Sequence, residues 1–283
     1  MHLIADILWL IVYYLVGYRR RVVRENIAAC FPEMTERGRR DLGRRYYRCL
    51  ADMLVEGVHN VFFATPPFLK RHYRLVNRQL VDRYYERGQS VVLMSAHLAN
   101  WEYMVSSLNM QLLHHGIGVG KPLNDKAVAS FITRRRTRYG TQVVDQYDVR
   151  EHVAFYHKHH VPVALMMLSD QSPSNPHRSY WTTFLGRDTA FLYGAEKIAR
   201  QYNYPVLYYT VDRMRRGYYE VTFSTLCKDP SAVPQYTIVE RYARRLEEDI
   251  CRRPEQWLWS HRRWKLTRNG RIRKDGTIKI IEK

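Results

Sequence analysis

The residues best suited to carry chemistry are His97 and Glu102, which lie five positions apart after a short apolar run. Residues 90–95 follow the turn signal Arg87-Gly88 and are predicted to form a buried strand. A helix is predicted to begin near Asn100. A neutral imidazole with one ring nitrogen held by a carboxylate can take a proton from a hydroxyl group. The pair therefore indicates general-base chemistry at the carboxyl end of a strand, where open α/β sheets usually bind ligands.

The spacing of the two residues also has a purely structural interpretation. In a regular helix, residues five positions apart point about 140° away from each other. The two side chains meet only if His97 lies in a strand-to-helix turn and folds back over the helix start. A capping or core histidine followed by a surface glutamate fits the same spacing, and spacing alone favours that interpretation.

The remaining elements alternate between strand-like and helix-like segments after a long arginine-rich helix at 35–63. Further strands are predicted at 117–120, 141–145, 161–168, 205–211 and 218–223. Further helices are predicted at about 124–139, 148–159, 190–201 and 234–251, the second opened by a capping box of Asp148 and Glu151. This alternation indicates an α/β fold with a mostly parallel central sheet flanked by helices.

The first residues have a different character from the rest of the chain. Residues 3–16 are apolar apart from Asp6, and a run of arginines follows at 19–24. As a helix they reach about 21 Å, less than the roughly 30 Å of a hydrocarbon core. We expect a membrane-associated helix with a basic flank at 1–24, followed by one catalytic domain at 25–283. Packing of the segment as an ordinary core helix is the alternative.

Charge and cysteine usage narrow the classes of partner. The chain carries 46 Lys and Arg against 27 Asp and Glu, a net charge of +19 that predicts an anionic partner. A nucleic-acid-binding protein is the competing class, because basic residues alternate with aromatic ones at 257–273. No nucleic-acid motif is present, and such a protein has no use for an apolar first segment. Four cysteines without a Cys-x-x-Cys pair, and histidines at 157, 159 and 160 without ligand spacing, predict no metal site and no cofactor.

Residues 95–102 resemble the catalytic block of the lipid A lauroyl and myristoyl acyltransferases, within the wider glycerolipid acyltransferase-like group. Segments similar to that family also occur, in the same order, at 26–33, 169–171, 184–190 and 254–265. Ordered matches from about residue 20 to 265 are more specific than any one motif. The resemblance implies an α/β acyltransferase domain that moves a fatty acyl chain from acyl carrier protein to a hydroxyl of a lipid A precursor. It also implies a location at the cytoplasmic face of the inner membrane of a Gram-negative bacterium.

The family pattern assigns His97 as the general base and Glu102 as its orienting partner. The predicted substrate-binding residues are Asn100, Trp101, Arg136, Arg138, Asp170 and Gln171. Of these, Asp170 and Gln171 are interpreted as pocket-forming residues, not as acid–base groups. The arginine run at 134–138 is equally well explained as a solvated basic face. The acceptor remains open, and a lysophospholipid or an amino-acid lipid fits the same chemistry.

Overall fold

The computed structural model describes residues 1–120, 126–273 and 275–281. The α-helices in this part of the chain are α1 His2–Leu10, α2 Arg20–Cys30, α3 Glu36–Phe62, α4 Pro66–His72, α5 Gln79–Tyr85, α6 Glu102–Gln111, α7 Lys126–Arg136, α8 Val149–Lys158, α9 Gly194–Tyr202 and α10 Thr237–Arg252. The strands are β1 Tyr73–Leu75, β2 Val91–Ser95, β3 His115–Gly120, β4 Gln142–Asp145, β5 Val163–Leu168, β6 Tyr180–Phe184, β7 Arg187–Phe191, β8 Val206–Arg215, β9 Tyr218–Cys227, β10 Leu266–Thr267, β11 Gly270–Ile272 and β12 Ile278–Ile280.

Seven strands form one central sheet in the order β1-β9-β8-β2-β5-β3-β4. Every neighbouring pair is parallel except β8 and β9, which form an antiparallel hairpin. β2 lies in the middle and all five of its residues are buried, as expected of a parallel strand covered on both faces. The predicted α/β fold with a mostly parallel sheet flanked by helices is confirmed.

Alternate side chains of β2 enter two separate apolar clusters, one on each face of the sheet. Val92 and Met94 belong to the cluster that includes the first half of α3 and α10. Val91 and Leu93 belong to the cluster that includes α6 and the start of β9. Because successive residues of a strand point to opposite faces, one short apolar run organises both cores.

The structure differs from the sequence prediction between residues 180 and 194. Residues 184–190 form the turn and second strand of the hairpin β6–β7, and α9 begins only at Gly194 instead of near residue 190. Leu185 and Gly186 have φ values of 50° and 72°, the left-handed pair that a two-residue hairpin turn needs. A short strand of this kind has no apolar alternation strong enough to distinguish it from a loop.

The sequence also predicts where α7 and α8 begin. α8 forms as predicted, but Asp148 makes no side-chain cap hydrogen bond, because its backbone has already turned to the right-handed helical region at φ −97° and ψ −7°. The predicted start of a helix at residue 124 lies outside the described residues, and the described part of α7 is Lys126–Arg136.

The first segment is a short helix that continues into one π-helical stretch, Ile11–Val16. It packs along α3, and at Gly17 the chain bends by 94° into α2. Within the described part of the chain, no single helix is long and apolar enough to cross a membrane. The bent pair of His2–Val16 and Arg20–Cys30 meets that test by length and composition.

Candidate active site

His97 lies at the carboxyl edge of the sheet, immediately after β2. β2 and β5 are parallel neighbours with Ser95 opposite Leu168, so the chain leaves both strands at the same edge. The backbone N–H of Ser169 donates to the carbonyl of Ser95 at 3.1 Å, and this bond holds together the chain segments that follow the two strands. Asp170, the second residue after β5, therefore meets His97, the second residue after β2.

The turn that carries His97 into α6 is held by a segment from near the C-terminus. Ala99 has a φ of 47°, a left-handed conformation that is uncommon for residues with a Cβ. Its N–H donates to the carbonyl of Gln256 at 3.0 Å, and Leu98 forms an antiparallel bridge with Trp257. These long-range contacts stabilise a turn that its own sequence does not favour.

Asp170 holds both the ring and the backbone of His97. Its Oδ1 lies 2.6 Å from Nδ1 of His97, and its Oδ2 accepts from the His97 backbone N–H at 3.1 Å. Oδ2 also accepts from Nε1 of Trp257 at 2.9 Å. Burial opposes ionisation of Asp170, but the charge of His97 and these hydrogen bonds lower its pKa to about 2. Asp170 is therefore a fixed carboxylate at neutral pH.

The other ring nitrogen of His97 is directed to a cavity. The side-chain amide nitrogen of Gln171 lies 3.1 Å from Nε2 of His97. An amide N–H can only donate, so this contact and the Asp170 contact together assign the ring proton to Nδ1. Burial lowers the pKa of His97, but Asp170 and then Glu102 outweigh burial, and the net effect raises this pKa above 6.5. The indole of Trp101 packs edge-on against the imidazole at 5.0 Å between ring centroids.

Glu102 does not make the contact with His97 that the sequence predicts. It is the first residue of α6, and its carboxylate forms an ion pair with Arg136 of α7, with Nε of Arg136 2.9 Å from Oε2. Both ring nitrogens of His97 contact residues that follow β5 instead. Asp170 thus occupies the orienting position, although the sequence predicts it to be a pocket-forming residue. Glu102 acts on His97 only through its charge at longer range.

Two other predicted site residues lie behind the site. Asn100 is buried, where its Nδ2 donates to Oε2 of Glu56 at 2.7 Å and its Oδ1 accepts from the N–H of Tyr103 at 3.1 Å. It holds the first turn of α6 through Tyr103 and does not line the cavity. Arg138 also does not line the cavity, because its guanidinium donates to backbone carbonyls, among them that of Val61 at 3.2 Å.

A cavity of about 960 Å³ opens beside the His97 ring. Its lining residues His97, Glu102, Arg136 and Gln171 form a polar cluster, and this part of the cavity is called its polar end. Apolar lining residues from β3, β4, β5 and α9 include Val119, Val143, Met166, Met167 and Ile198, and Asp145, Gln146 and Arg150 line it from the end of β4 onward. A cavity of this size with apolar walls and a few polar groups suits an amphipathic molecule.

The hydrogen bond from Trp257 to Asp170 is not predicted from the sequence. The sequence indicates only that the block at 254–265 is similar to the family and that the aromatic residues at 257–273 could stack on bases. Trp257 and Trp259 are 2% and 0% exposed, so neither ring is available for stacking on a base. Their burial beneath the His97 turn explains a tryptophan-rich stretch without invoking a nucleic acid.

Comparison with known proteins finds one family over nearly the whole chain. The family model described as "Bacterial lipid A biosynthesis acyltransferase" matches residues 2–266. The chain is similar to the lipid A biosynthesis lauroyltransferase of Escherichia coli strain K12, with 22% identity over 255 residues, 89% of this chain and 81% of that protein. A lipid A biosynthesis acyltransferase of Haemophilus influenzae is 23% identical over 262 residues, 91% of this chain and 81% of that protein. The lipid A biosynthesis palmitoleoyltransferase of E. coli K12 is 22% identical over 249 residues, 87% and 79% of the two chains.

Proposed function

Because the chain belongs to the bacterial lipid A biosynthesis acyltransferase family, we propose that it transfers a fatty acyl chain from acyl carrier protein to a hydroxyl of a lipid A precursor. The reaction takes place at the cytoplasmic face of the inner membrane. The observation that carries the proposal is the His97–Asp170 pair beside a large cavity whose walls include apolar side chains from the sheet and α9. No metal or cofactor takes part in this scheme.

His97 acts as the general base. Its Nε2, unprotonated in the assigned tautomer, takes the proton of the acceptor hydroxyl while the hydroxyl oxygen attacks the thioester carbon of the donor. The tetrahedral intermediate collapses, the carbon–sulfur bond breaks, and the imidazolium returns the proton to the departing thiolate. An ester and the free thiol of the carrier remain. Asp170 holds the ring in this tautomer and stabilises the imidazolium between the two proton transfers.

Gln171 and Arg136 complete the polar end of the cavity. The side-chain amide of Gln171 contacts Nε2 of His97. The acceptor hydroxyl therefore takes the place of Gln171 at this nitrogen when it binds. Arg136 lines the cavity beside Glu102, which fixes its guanidinium by an ion pair. A cation there can stabilise the negative oxygen of the tetrahedral intermediate. Glu102 thus serves the reaction by positioning Arg136 and adding negative charge near His97.

The apolar walls of the cavity suit the acyl chain. Val119, Val143 and Met166 come from neighbouring parallel strands of the sheet, and Ile198 comes from α9. Burial of methylene groups contributes about 0.8 kcal/mol each, so a long chain is held firmly while its thioester lies at the polar end. The phosphorylated glycolipid acceptor and the acidic carrier both match a protein of net charge +19.

Reconstituted transfer tests this proposal. Purified protein is incubated with an acyl-charged carrier protein and either a lipid A precursor or a lysophospholipid, and products are identified by mass spectrometry. We expect an acylated lipid A precursor and no acylated lysophospholipid, and transfer by His97→Ala that is slower by ~10² or more. Acylation of the lysophospholipid alone would contradict the assigned acceptor and leave the chemistry in place.

A further inference from the structure

The last third of α3 presents an apolar surface with no charged side chain on it. Leu54, Val58 and Phe62 recur every four residues on one side of the helix and are 47%, 58% and 49% exposed. Phe63 follows at 69%, and Phe131 of α7 at 43%. The rings of Phe62 and Phe131 lie 5.9 Å apart. We call these five residues the helix-end patch.

The helix-end patch contrasts with the first half of the same helix. Residues 36–48 carry arginines at 37, 39, 40, 44, 45 and 48 against two acids. Residues 53–64 contain one acid, Glu56, which is 3% exposed, and no Lys or Arg. Burial lowers the pKa of His59, so its ring is neutral at pH 7. Exposed apolar groupings of this kind on a soluble surface mark an interaction site.

The exposed apolar side chains at the start of α1 lie toward the same end of α3 as the patch. α1 lies antiparallel to α3, since the rings of Tyr13 and Tyr47 meet at 5.3 Å while Arg216 links the His2 carbonyl to Asp52. The start of α1 therefore lies toward the apolar end of α3. Leu3 and Ile4 are 75% and 61% exposed there.

The same patch borders the candidate active site. Arg135 of α7 donates to the carbonyl oxygens of Val61 and Phe62 at 2.8 and 2.9 Å, which fastens α7 to the end of α3. Four other residues of α7, Ser130, Ile132, Thr133 and Arg136, line the cavity. Whatever covers the helix-end patch therefore lies against an element that forms one wall of the cavity.

We propose that the helix-end patch inserts into an anionic lipid bilayer and brings the cavity wall formed by α7 to the membrane surface. Exposed cations lie on the two helices that contact the end of α3, Arg134 on α7 and Lys70 and Arg71 on α4, and they suit anionic headgroups. An apolar helix surface bordered by basic side chains is the pattern of an interfacial membrane contact. The helix-end patch is a second membrane contact, besides the N-terminal helix. The inference rests on the proposed function in one respect: the lipid acceptor then reaches the cavity from the bilayer.

Vesicle binding tests the patch without turnover. The double variant Val58→Gln, Phe62→Gln keeps good helix formers at exposed positions, so the fold should be retained. Flotation with vesicles of phosphatidylcholine and phosphatidylglycerol should show roughly tenfold weaker binding or more, from the apolar area no longer buried. The matched control Leu113→Gln, Phe155→Gln removes side chains that are 51% and 57% exposed elsewhere, and it should bind like wild type.

Two results would overturn the inference. One is wild-type vesicle binding by the patch variant with a wild-type circular dichroism spectrum. The other is a dimer in light scattering that the patch variant dissociates while vesicle binding persists, which would make the patch a protein interface. Weaker vesicle binding in a protein without any transferase activity would support the patch and refute the proposed function. An active enzyme that fails only with vesicle-borne acceptor supports both.

Discussion

At the scale of single residues, the two carboxylates near His97 have separate roles, whereas the sequence motif suggests that Glu102 alone orients the histidine. Asp170 is buried, fixes the ring and has a pKa lowered to about 2. Glu102 is partly exposed and engaged with Arg136. The motif spacing indicates that Glu102 lies near the histidine, and the turn after β2 does bring it there. It could not indicate which carboxylate contacts the ring, because that depends on β5 lying beside β2.

Substitutions at Glu102 should separate its charge from its position. Glu102→Gln keeps an oxygen that can accept from Arg136, whereas Glu102→Ala leaves the guanidinium without this partner. We expect kcat to fall further in Glu102→Ala, by about tenfold relative to Glu102→Gln, since a charge-assisted hydrogen bond contributes ~1.5–3 kcal/mol. Steady-state kinetics at fixed donor concentration measure the difference. Equal losses would indicate that the charge of Glu102 matters more than its hold on Arg136.

At the scale of elements, the sequence predicts every strand of the central sheet except β1, and it predicts the long helix α3 from arginines spaced between apolar residues. The observed β2, β5 and α3 start and end within two residues of the sequence prediction. The small antiparallel elements were not predicted, because their strands are short and their turns are set by backbone conformation. Residues 254–259 hold the His97 turn through the long-range β-bridge between Leu98 and Trp257, which no local sequence pattern encodes.

A buried ion-pair cluster ties α3 to the β8–β9 hairpin and offers a test at this scale. Asp52 of α3 is 2% exposed and pairs with Arg213 and Arg216, the latter at 2.6 Å. Asp52→Asn keeps the shape but leaves these guanidinium groups without their carboxylate. We expect the free energy of unfolding in urea to fall by roughly 3 kcal/mol, the low end for a broken buried pair, because Arg216 retains Asp6.

The control for this variant lies on the same helix. Asp41 pairs with Arg44 at 3.4 Å, and both side chains are about half exposed. Asp41→Asn should change the free energy of unfolding by less than about 1 kcal/mol. Similar losses in the two variants would show that the Asp52 cluster is no more stabilising than a surface pair.

At the scale of the whole molecule, the positive charge should govern encounter with the acidic carrier. Attraction between exposed charges is screened over about 10 Å at 0.1 M salt, so KM for acyl carrier protein should rise with ionic strength. Arg134→Glu, on an exposed position of the α7 that lines the cavity, should raise this KM severalfold with little change in kcat. Arg87→Glu makes the same change of net charge at the amino end of β2, the opposite edge of the sheet, and should leave KM nearly unchanged. Equal effects of the two variants would place carrier docking elsewhere or make it a matter of net charge alone.

The central claim is that His97, oriented by Asp170, is the base of the reaction, and the pH dependence of single-turnover acyl transfer tests it most directly. The pKa of His97 is raised above 6.5, and the base works only when neutral, so wild-type transfer should rise with pH through a midpoint above 6.5. Asp170→Asn should lower the rate by ~10²–10⁴ and move the midpoint to lower pH, because the imidazolium loses its carboxylate. Glu102→Gln should move the midpoint less. A wild-type profile in Asp170→Asn, or more than about a tenth of wild-type transfer in His97→Ala, would contradict the account.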